Sequence, residues 1–197
     1  MLNIKDVSVN FGGIKAVDKA SMQIETGKIT GLIGPNGAGK TTLFNIIAGN
    51  IKPTMGKVML DEQDITSLPS HELFEKGVLR TFQLAHEFSN MTVLENLMVV
   101  PGMQTGEKIL NTWFQRKRIE NEEKVIKEKA LEVVNFLKLD HLTYELAGNL
   151  SGGQKKLLEL GRTMMVEAKI VLLDEVGAGV NRTLLNDITD LIKKLNH

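Results

Sequence analysis

A glycine-rich segment around residue 40 has residue types and spacing that suit it to bind phosphate. Its pattern is G-x-x-x-x-G-K-[ST], in which glycines let successive backbone N–H groups turn inward around an anion. Lys40 adds a full positive charge for the β- and γ-phosphates, and the Thr41 hydroxyl is suited to bind Mg²⁺. We predict that the nucleotide is bound by Gly34, Pro35, Asn36, Gly37, Ala38, Gly39, Lys40, Thr41 and Thr42.

A second candidate for chemistry is the pair of carboxylates that follows the apolar run 170–173. An acidic residue at a strand end suits Mg²⁺ held against phosphate oxygens, and we assign this role to Asp174. Glu175 lies one residue further and can take a proton from an attacking water. Alone, the pair could be an ordinary strand end; the phosphate loop in the same chain favours the catalytic interpretation.

A third candidate is the start of a predicted helix at residues 150–154, with sequence L-S-G-G-Q. Ser151 is a good N-cap, and Gly152 and Gly153 leave backbone N–H groups uncovered. The segment could be a plain helix cap. If this segment binds an anion, the chain has two anion-binding helix starts. One bound nucleotide does not need both of them on the same protomer.

Regular elements must position these residues. A strand predicted at 29–33 enters the phosphate loop and a helix predicted at 40–48 leaves it, which argues against a glycine-rich turn that arises by chance. Helical spacing dominates from about residue 84 to residue 159. The remaining predicted elements are one or two short strands within 2–11 ending in a Gly12-Gly13 turn, strands at 58–60 and 170–173, a helix after 151, and a last helix at about 182–195.

Strands interleaved with helices predict an α/β fold with a mainly parallel sheet. We predict a single domain over 1–197, with a core of 1–83 and 160–197 and an inserted helical subdomain at 84–159.

Composition narrows the functional classes. The 24 Lys and Arg residues balance 24 Asp and Glu residues, which argues against a protein that coats nucleic acid. The chain has no cysteine, so disulfides, zinc–thiolate sites and thiol nucleophiles are excluded. The longest apolar runs have four residues, whereas a membrane span needs about 20. We predict a soluble cytoplasmic protein.

The L-S-G-G-Q segment resembles the signature sequence of ABC (ATP-binding cassette) proteins, and it stands between the phosphate loop and the acidic strand as in that family. The resemblance covers the whole chain. It implies a P-loop NTPase fold with a RecA-like core, an N-terminal antiparallel β subdomain and an inserted helical subdomain. It also implies the cofactors ATP and Mg²⁺ and a second ATPase subunit as partner, in a homodimer or heterodimer.

The same resemblance implies roles for further residues. In a head-to-tail dimer, the γ-phosphate of ATP bound to one subunit is contacted by the other subunit's Ser151, Gly152, Gly153 and Gln154. Phe11 stands where the family has an aromatic that stacks on adenine; the alternative is a core phenylalanine, but Gly12-Gly13 beside it favours an exposed loop. Gln83 matches a glutamine that reaches Mg²⁺ and the attacking water. The implied metal ligands are Thr41, Gln83 and Asp174, and the implied catalytic residues are Glu175 and Gln83.

Within the family, several stretches look like the ATPase subunits of branched-chain amino-acid importers. They are F-G-G-I-K-A-V from residue 11, R-T-F-Q from residue 80, M-T-V-L-E-N-L from residue 91 and A-G-V-N from residue 178. This likeness implies integral-membrane permease subunits as partners, an extracytoplasmic solute-binding protein as an indirect partner, no nucleic acid, and a peripheral location on the inner face of the membrane. Importers of amides or urea, and lipopolysaccharide transporters, have similar ATPases and stay open.

The chain also departs from the family pattern. Val176 and Arg182 replace usual prolines, and Asn181 stands where many members have aspartate. The family continues into a further strand that carries a histidine at the γ-phosphate, whereas only 22 residues follow Glu175 here. His197 follows a predicted helix, so we do not assign it that role. We expect either a fragment of a longer protein or completion by another chain, and we favour a fragment.

Two other functions compete with that of a transport ATPase. One is a module that binds nucleotide and dimerises without hydrolysis, because the γ-phosphate histidine is missing. The other is a cassette linked to translation or repair, which the single short cassette disfavours.

Overall fold

The computed structural model describes residues 1–81, 87–102, 104–107, 109–174, 177 and 182–196. The strands in these residues are β1 (Leu2–Phe11), β2 (Ile14–Ile24), β3 (Met55–Leu60), β4 (Gln63–Asp64), β5 (Val78–Arg80) and β6 (Ile170–Leu172). The α-helices are α1 (Lys40–Ile47), α2 (Ser70–Glu75), α3 (Val93–Met98), α4 (Ile109–Phe114), α5 (Arg116–Phe136), α6 (Gly152–Met164) and α7 (Arg182–Leu195). Mixed strands and helices confirm the α/β class.

The chain divides into two compact units. For the described residues, unit 1 lies within Met1–Arg80, Ala168–Asp174 and Thr189–His197, and unit 2 lies within Thr81–Glu167 and Glu175–Ile188. The phosphate loop and Asp174 belong to unit 1, and Ser151 belongs to unit 2.

Unit 1 contains an antiparallel sheet with strand order β2-β1-β3-β4. The residues 2–11 form a single strand, β1, which is one of the two inner strands and pairs Leu2 with Ile24 on one side and with Leu60 on the other. The predicted turn is also confirmed, with Gly12 at φ +57°, a region that glycine adopts without strain. The sheet packs its apolar face into the core of unit 1, together with Leu43, Ile46 and Ile47 of α1.

The parallel part of unit 1 brings together distant segments of the chain. β5 and β6 pair in parallel, with Val78 opposite Ile170 and Arg80 opposite Leu172. The strand predicted at 170–173 is confirmed and ends one residue earlier. Because the carboxyl ends of parallel strands share one edge, Arg80 and the residues after Leu172 come close together.

The strand predicted at 29–33 is wrong. These residues have no regular secondary structure, and Ile29 and Ile33 are 58% and 93% exposed. A buried parallel strand needs neighbours that bond its backbone and cover its faces. Among the described residues, no strand pairs with this segment, and only Leu32 packs against the core of unit 1.

Unit 2 is helical. Its long helix α5 has the predicted spacing, with Ala130, Val133 and Val134 buried and the charged face exposed. Asn96 of α3 is fully buried, and its side-chain amide bonds the backbone of Phe88, Met91 and Thr92, which fixes the turn before α3. In the described part of the chain, we find no helix with the length and apolar character needed to cross a bilayer.

Candidate phosphate-binding site

The loop before α1 is shaped by glycines in the left-handed region. Gly37 and Gly39 both have φ +82°. A Cβ on Gly39 would lie 2.3 Å from the backbone oxygen of Ala16, which rules out any side chain there without movement of the backbone. The N–H of Ala38 donates to the oxygen of Pro35 at 3.2 Å, so the loop curls back on itself. The predicted glycine-rich curl is therefore present.

The N-terminus of α1 lacks the usual side-chain cap. Its N-cap residue is Gly39, no side chain bonds the first N–H groups, and the first turn contains no acidic residue. Open N–H groups and the positive end of the helix dipole favour an anion at this position. An acidic cap would compete with phosphate, and the sequence provides none.

Lys40 places its ammonium at the loop itself. Its Nζ donates to the backbone oxygens of Gly34 and Pro35, both at 2.8 Å. The ammonium is therefore held against two carbonyl oxygens at the beginning of the loop. In the first turn of α1, Thr41 is exposed and Thr42 is half-buried, so the Thr41 hydroxyl is open to solvent.

Asp174 lies buried in a polar network that joins β5, β6 and α1. Its Oδ2 accepts from Nη2 of Arg80 at 2.9 Å, and both side chains are 9% exposed. Nη1 of Arg80 donates to Oδ1 of Asn45 on α1. A buried carboxylate is costly unless it is paired, so Arg80 holds the charge of Asp174 in place behind the phosphate loop.

The donor set of unit 1 fits Mg²⁺ in its chemistry. The Thr41 hydroxyl and the Asp174 carboxylate are hard oxygen ligands of the kind that Mg²⁺ uses together with phosphate oxygens. Within the described ranges, no cluster of three or more His, Cys, Asp or Glu residues could hold a metal by itself. A site made of one carboxylate, one hydroxyl and the substrate's own phosphates does not require such a cluster.

The start of α6 is capped by its own residues. The Ser151 hydroxyl accepts from the N–H of Gln154 at 3.4 Å, and Oε1 of Gln154 accepts from the N–H of Ser151 at 2.8 Å. This capping box confirms Ser151 as the predicted N-cap. The 3.4 Å bond is long, so the exposed hydroxyl is only loosely engaged.

The two glycines of this segment differ in their surroundings. A Cβ on Gly152 would meet nothing within 4 Å, whereas a Cβ on Gly153 would lie 2.1 Å from Cδ2 of Leu184. A side chain at Gly153 would therefore require the Leu184 side chain to move. Packing does not require glycine at Gly152, and its backbone faces open space.

A cation lies in the first turn of α6. Lys155 donates to Oε1 of Glu87 at 2.6 Å, with side chains 25% and 10% exposed. Burial raises the pKa of Glu87, but the hydrogen bonds from Lys155, the backbone and Ser89, together with the charge of Lys155, outweigh burial and hold that pKa below its usual value. Glu87 thus offsets a positive charge that is unfavourable at a helix N-terminus.

Three predicted site residues remain, which are Phe11, Gln83 and Glu175. Phe11 is 51% exposed at the end of β1, beside the Gly12 turn, so it is not a core phenylalanine. Gln83 and Glu175 lie outside the described residues. The role of Arg80 was not predicted from the sequence; the available signal was an arginine directly after the apolar pair Val78-Leu79, where burial would require a carboxylate.

The sequence profile of the family described as ABC transporter matches residues 17–178. A probable branched-chain amino acid transport ATP-binding protein, LivG, of Archaeoglobus fulgidus is 44% identical over 195 residues. That alignment covers 99% of this chain and 75% of the relative, so the chain spans about three quarters of the relative's length.

Solved structures of ATP-binding cassettes are also similar to this chain. The ADP conformation of an ATP-binding cassette of an ABC transporter superposes with a TM-score of 0.83 at 42% identity, covering 99% of this chain and 76% of that one. A dimeric cassette in a post-hydrolysis state bound to ADP and Pi has a TM-score of 0.78 at 26% identity, covering 100% of this chain and 83% of that one.

Proposed function

The chain belongs to the ABC transporter family of ATP-binding subunits, and from this premise we propose that it hydrolyses ATP to power uptake of branched-chain amino acids. The observation that carries the proposal is the start of α1. There one loop combines a glycine curl, a helix start without a side-chain cap and the Lys40 ammonium, which are the groups that binding of a triphosphate requires.

Each predicted residue has a role in this proposal. Lys40 and the loop amides bind the β- and γ-phosphates, and Phe11 stacks on adenine. Thr41, Gln83 and Asp174 would hold Mg²⁺, which neutralises charge on the phosphates. Glu175 is the general base for the attacking water, a role typically contributing about 10²–10⁴-fold in rate.

A second copy of the subunit, or a related one, completes the site. Residues 151–154 contact the γ-phosphate of ATP bound to the other subunit, so two ATP molecules are enclosed in a head-to-tail dimer. The loose bond to the Ser151 hydroxyl and the open space at Gly152 support this role, because both leave polar groups free to meet an anion. The dimeric relative bound to ADP and Pi supports the assembly.

The further partners follow from transport. We propose that the chain consists of a core, 1–83 and 160–197, and a helical subdomain, 84–159. Closure of the dimer pulls on integral-membrane permease subunits through the helical region around 84–97. An extracytoplasmic solute-binding protein would deliver the amino acid. The subunit would then lie on the inner face of the membrane, in contact with the cytoplasm.

Phosphate release by the purified chain tests the enzymatic part of the proposal, with Glu175→Gln as the matched control. We expect ATP-dependent release that the variant loses, because it keeps the side-chain size but removes the base. Equally slow release by both proteins would favour a module that binds and dimerises without hydrolysis.

Copurification tests the transport part. We expect integral-membrane subunits to copurify with the chain, and leucine uptake by the assembled complex to depend on ATP. Capture of ribosomes instead would overturn the transport assignment, and uptake of urea or amides but not leucine would replace the proposed cargo.

A further inference from the structure

Helix α4 of unit 2 exposes three large apolar side chains. Ile109 and Trp113 are each 86% exposed, and Phe114 is 81% exposed. Single apolar residues are common on protein surfaces, but a cluster of aromatic and aliphatic side chains within six residues marks an interaction site. We call Ile109, Trp113 and Phe114 the α4 patch.

The α4 patch is presented by a segment that is firmly tied to α5. The N–H and the hydroxyl of Thr105 donate to the two carboxylate oxygens of Glu122 at 3.0 and 2.7 Å. Nδ2 of Asn111 donates to the oxygen of Thr105 at 3.2 Å, and the N–H of Gln115 donates to the oxygen of Asn111 at 2.8 Å. Hydrogen bonds before, within and after α4 therefore fix the segment while its apolar side chains face solvent.

Three consecutive cations, Arg116, Lys117 and Arg118, follow the patch after one intervening residue, and residues 109–118 include no acidic residue. Arg116 pairs with Glu120 at 3.6 Å and Arg118 with Glu122 at 2.9 Å, but these arginine side chains are 85% and 68% exposed. Such exposed pairs are weak and exchange readily for other anions.

Trp and Phe beside Arg and Lys match the chemistry of an anionic bilayer surface. Aromatic rings favour the boundary between headgroups and acyl chains, and cations favour anionic headgroups. We propose that the α4 patch docks on an anionic lipid surface, with the Trp113 and Phe114 rings at the headgroup boundary and the cations 116–118 on lipid phosphates. A peripheral subunit gains two weak anchors in this way, which together give reversible attachment.

This proposal is independent of ATP chemistry, although a membrane contact suits the proposed transport function. Trp113 is the only tryptophan in the chain, so tryptophan fluorescence, excited selectively at wavelengths that tyrosine does not absorb, reports on the patch alone. We expect vesicles of phosphatidylcholine and phosphatidylglycerol to shift its emission to the blue, protect it from acrylamide and sediment the protein. Phosphatidylcholine vesicles or high salt should weaken all three effects.

Paired variants separate the two parts of the surface. Trp113→Ser with Phe114→Ser should abolish sedimentation with the mixed vesicles, whereas Tyr144→Ser, at an aromatic 72% exposed in the same unit, should not. Replacing Arg116, Lys117 and Arg118 by Gln should weaken binding about fivefold per cation. Lys124→Gln with Lys127→Gln, which removes two cations at exposed positions of α5 outside 116–118, is the control for charge and should leave binding unchanged.

Three outcomes would overturn the proposal: fluorescence that ignores mixed vesicles, equal loss of binding in the control variants, or a blue shift only with purified permease subunits, which would identify a protein contact. Phosphate release measured on the same preparations without lipid should be unchanged in every variant. Failure of lipid binding with normal hydrolysis would therefore count against this inference and leave the proposed function in place.

Discussion

Helices α1 and α6 both begin beside glycines, but they differ in whether a side chain caps their first N–H groups. At α1, no side chain caps the helix, and the Lys40 ammonium is bound to the loop's own carbonyl oxygens. At α6, Ser151 and Gln154 form a capping box from within the helix. The first start is open and positively charged, whereas the second is self-capped through a long bond to Ser151.

The difference suggests that the two helix starts have different roles in anion binding. An open helix start with its own lysine can bind an anion strongly without a second protein. A self-capped start is stable on its own, and it presents a hydroxyl and a bare glycine backbone to an anion held elsewhere. We therefore infer that α1 binds the nucleotide and that α6 contacts a nucleotide bound to another subunit.

We expect the largest effect from removing the Lys40 ammonium at the start of α1. Lys40→Ala should lower ATP affinity about a hundredfold, because it removes a charged donor to phosphate. Dimerisation that depends on ATP should be lost with it. Titration calorimetry with ATP measures the change, and Lys52→Ala, at an exposed lysine outside the loop, should bind like the original protein. Equal affinity in both variants would contradict the assignment of α1.

The second expected effect separates binding from assembly. Ser151→Arg should leave ATP binding to the monomer unchanged but abolish ATP-dependent dimerisation, because a bulky cation would occupy the position of the partner's phosphate. Loss of the cap should cost about 1 kcal/mol of stability. Light scattering with ATP reports the dimer. Ser151→Thr keeps a capping hydroxyl and should dimerise; a dimer of the arginine variant would refute this geometry.

A third, smaller effect compares glycines of the two starts. Gly39→Ala should destabilise the fold by about 2–3 kcal/mol, because its φ is +82° and its Cβ would meet a backbone oxygen. Gly153→Ala should cost about 1 kcal/mol, because the clashing atom is the mobile end of Leu184. Gly152→Ala is the control with open space. Denaturant unfolding gives the order, and equal losses at all three positions would be inconsistent with it.

The smallest effect concerns the ion pair at α6. Glu87→Gln should lower stability by about 1 kcal/mol at neutral pH. Since Lys155 and the other hydrogen-bond donors hold the pKa of Glu87 below its usual value of 4.5, this stabilisation is present above that value and is lost as the pH falls below it. Stability measured from pH 7 to pH 3 should therefore fall more steeply in the original protein than in the variant. Parallel curves would show that the pair contributes nothing.

Local signals in the sequence were enough to predict the helix starts. Lys40 and Ser151 each begin a pattern that depends on a few neighbouring residues, and α7 spans the predicted range 182–195. The predicted strand at 29–33 failed because a strand is completed by partners distant in sequence, and an apolar run does not identify them.

Ion pairs between residues that are distant in the chain could not be predicted from the sequence either. Arg80 and Asp174 are 94 residues apart, and only the parallel pairing of β5 with β6 brings them together. The exposed α4 patch was missed for a related reason. Its apolar residues look like any buried helix face until the fold shows that nothing in the described residues covers them.

Mixing two inactive variants tests the central claim most directly. Lys40→Ala supplies an intact Ser151 region without nucleotide, and Ser151→Arg supplies bound nucleotide without an intact Ser151 region. With a non-hydrolysable ATP analogue, we expect each variant alone to be monomeric in light scattering and the mixture to form a heterodimer with one nucleotide per dimer. A mixture that stays monomeric while the original protein dimerises, or a variant that dimerises alone, would contradict a site shared between two subunits.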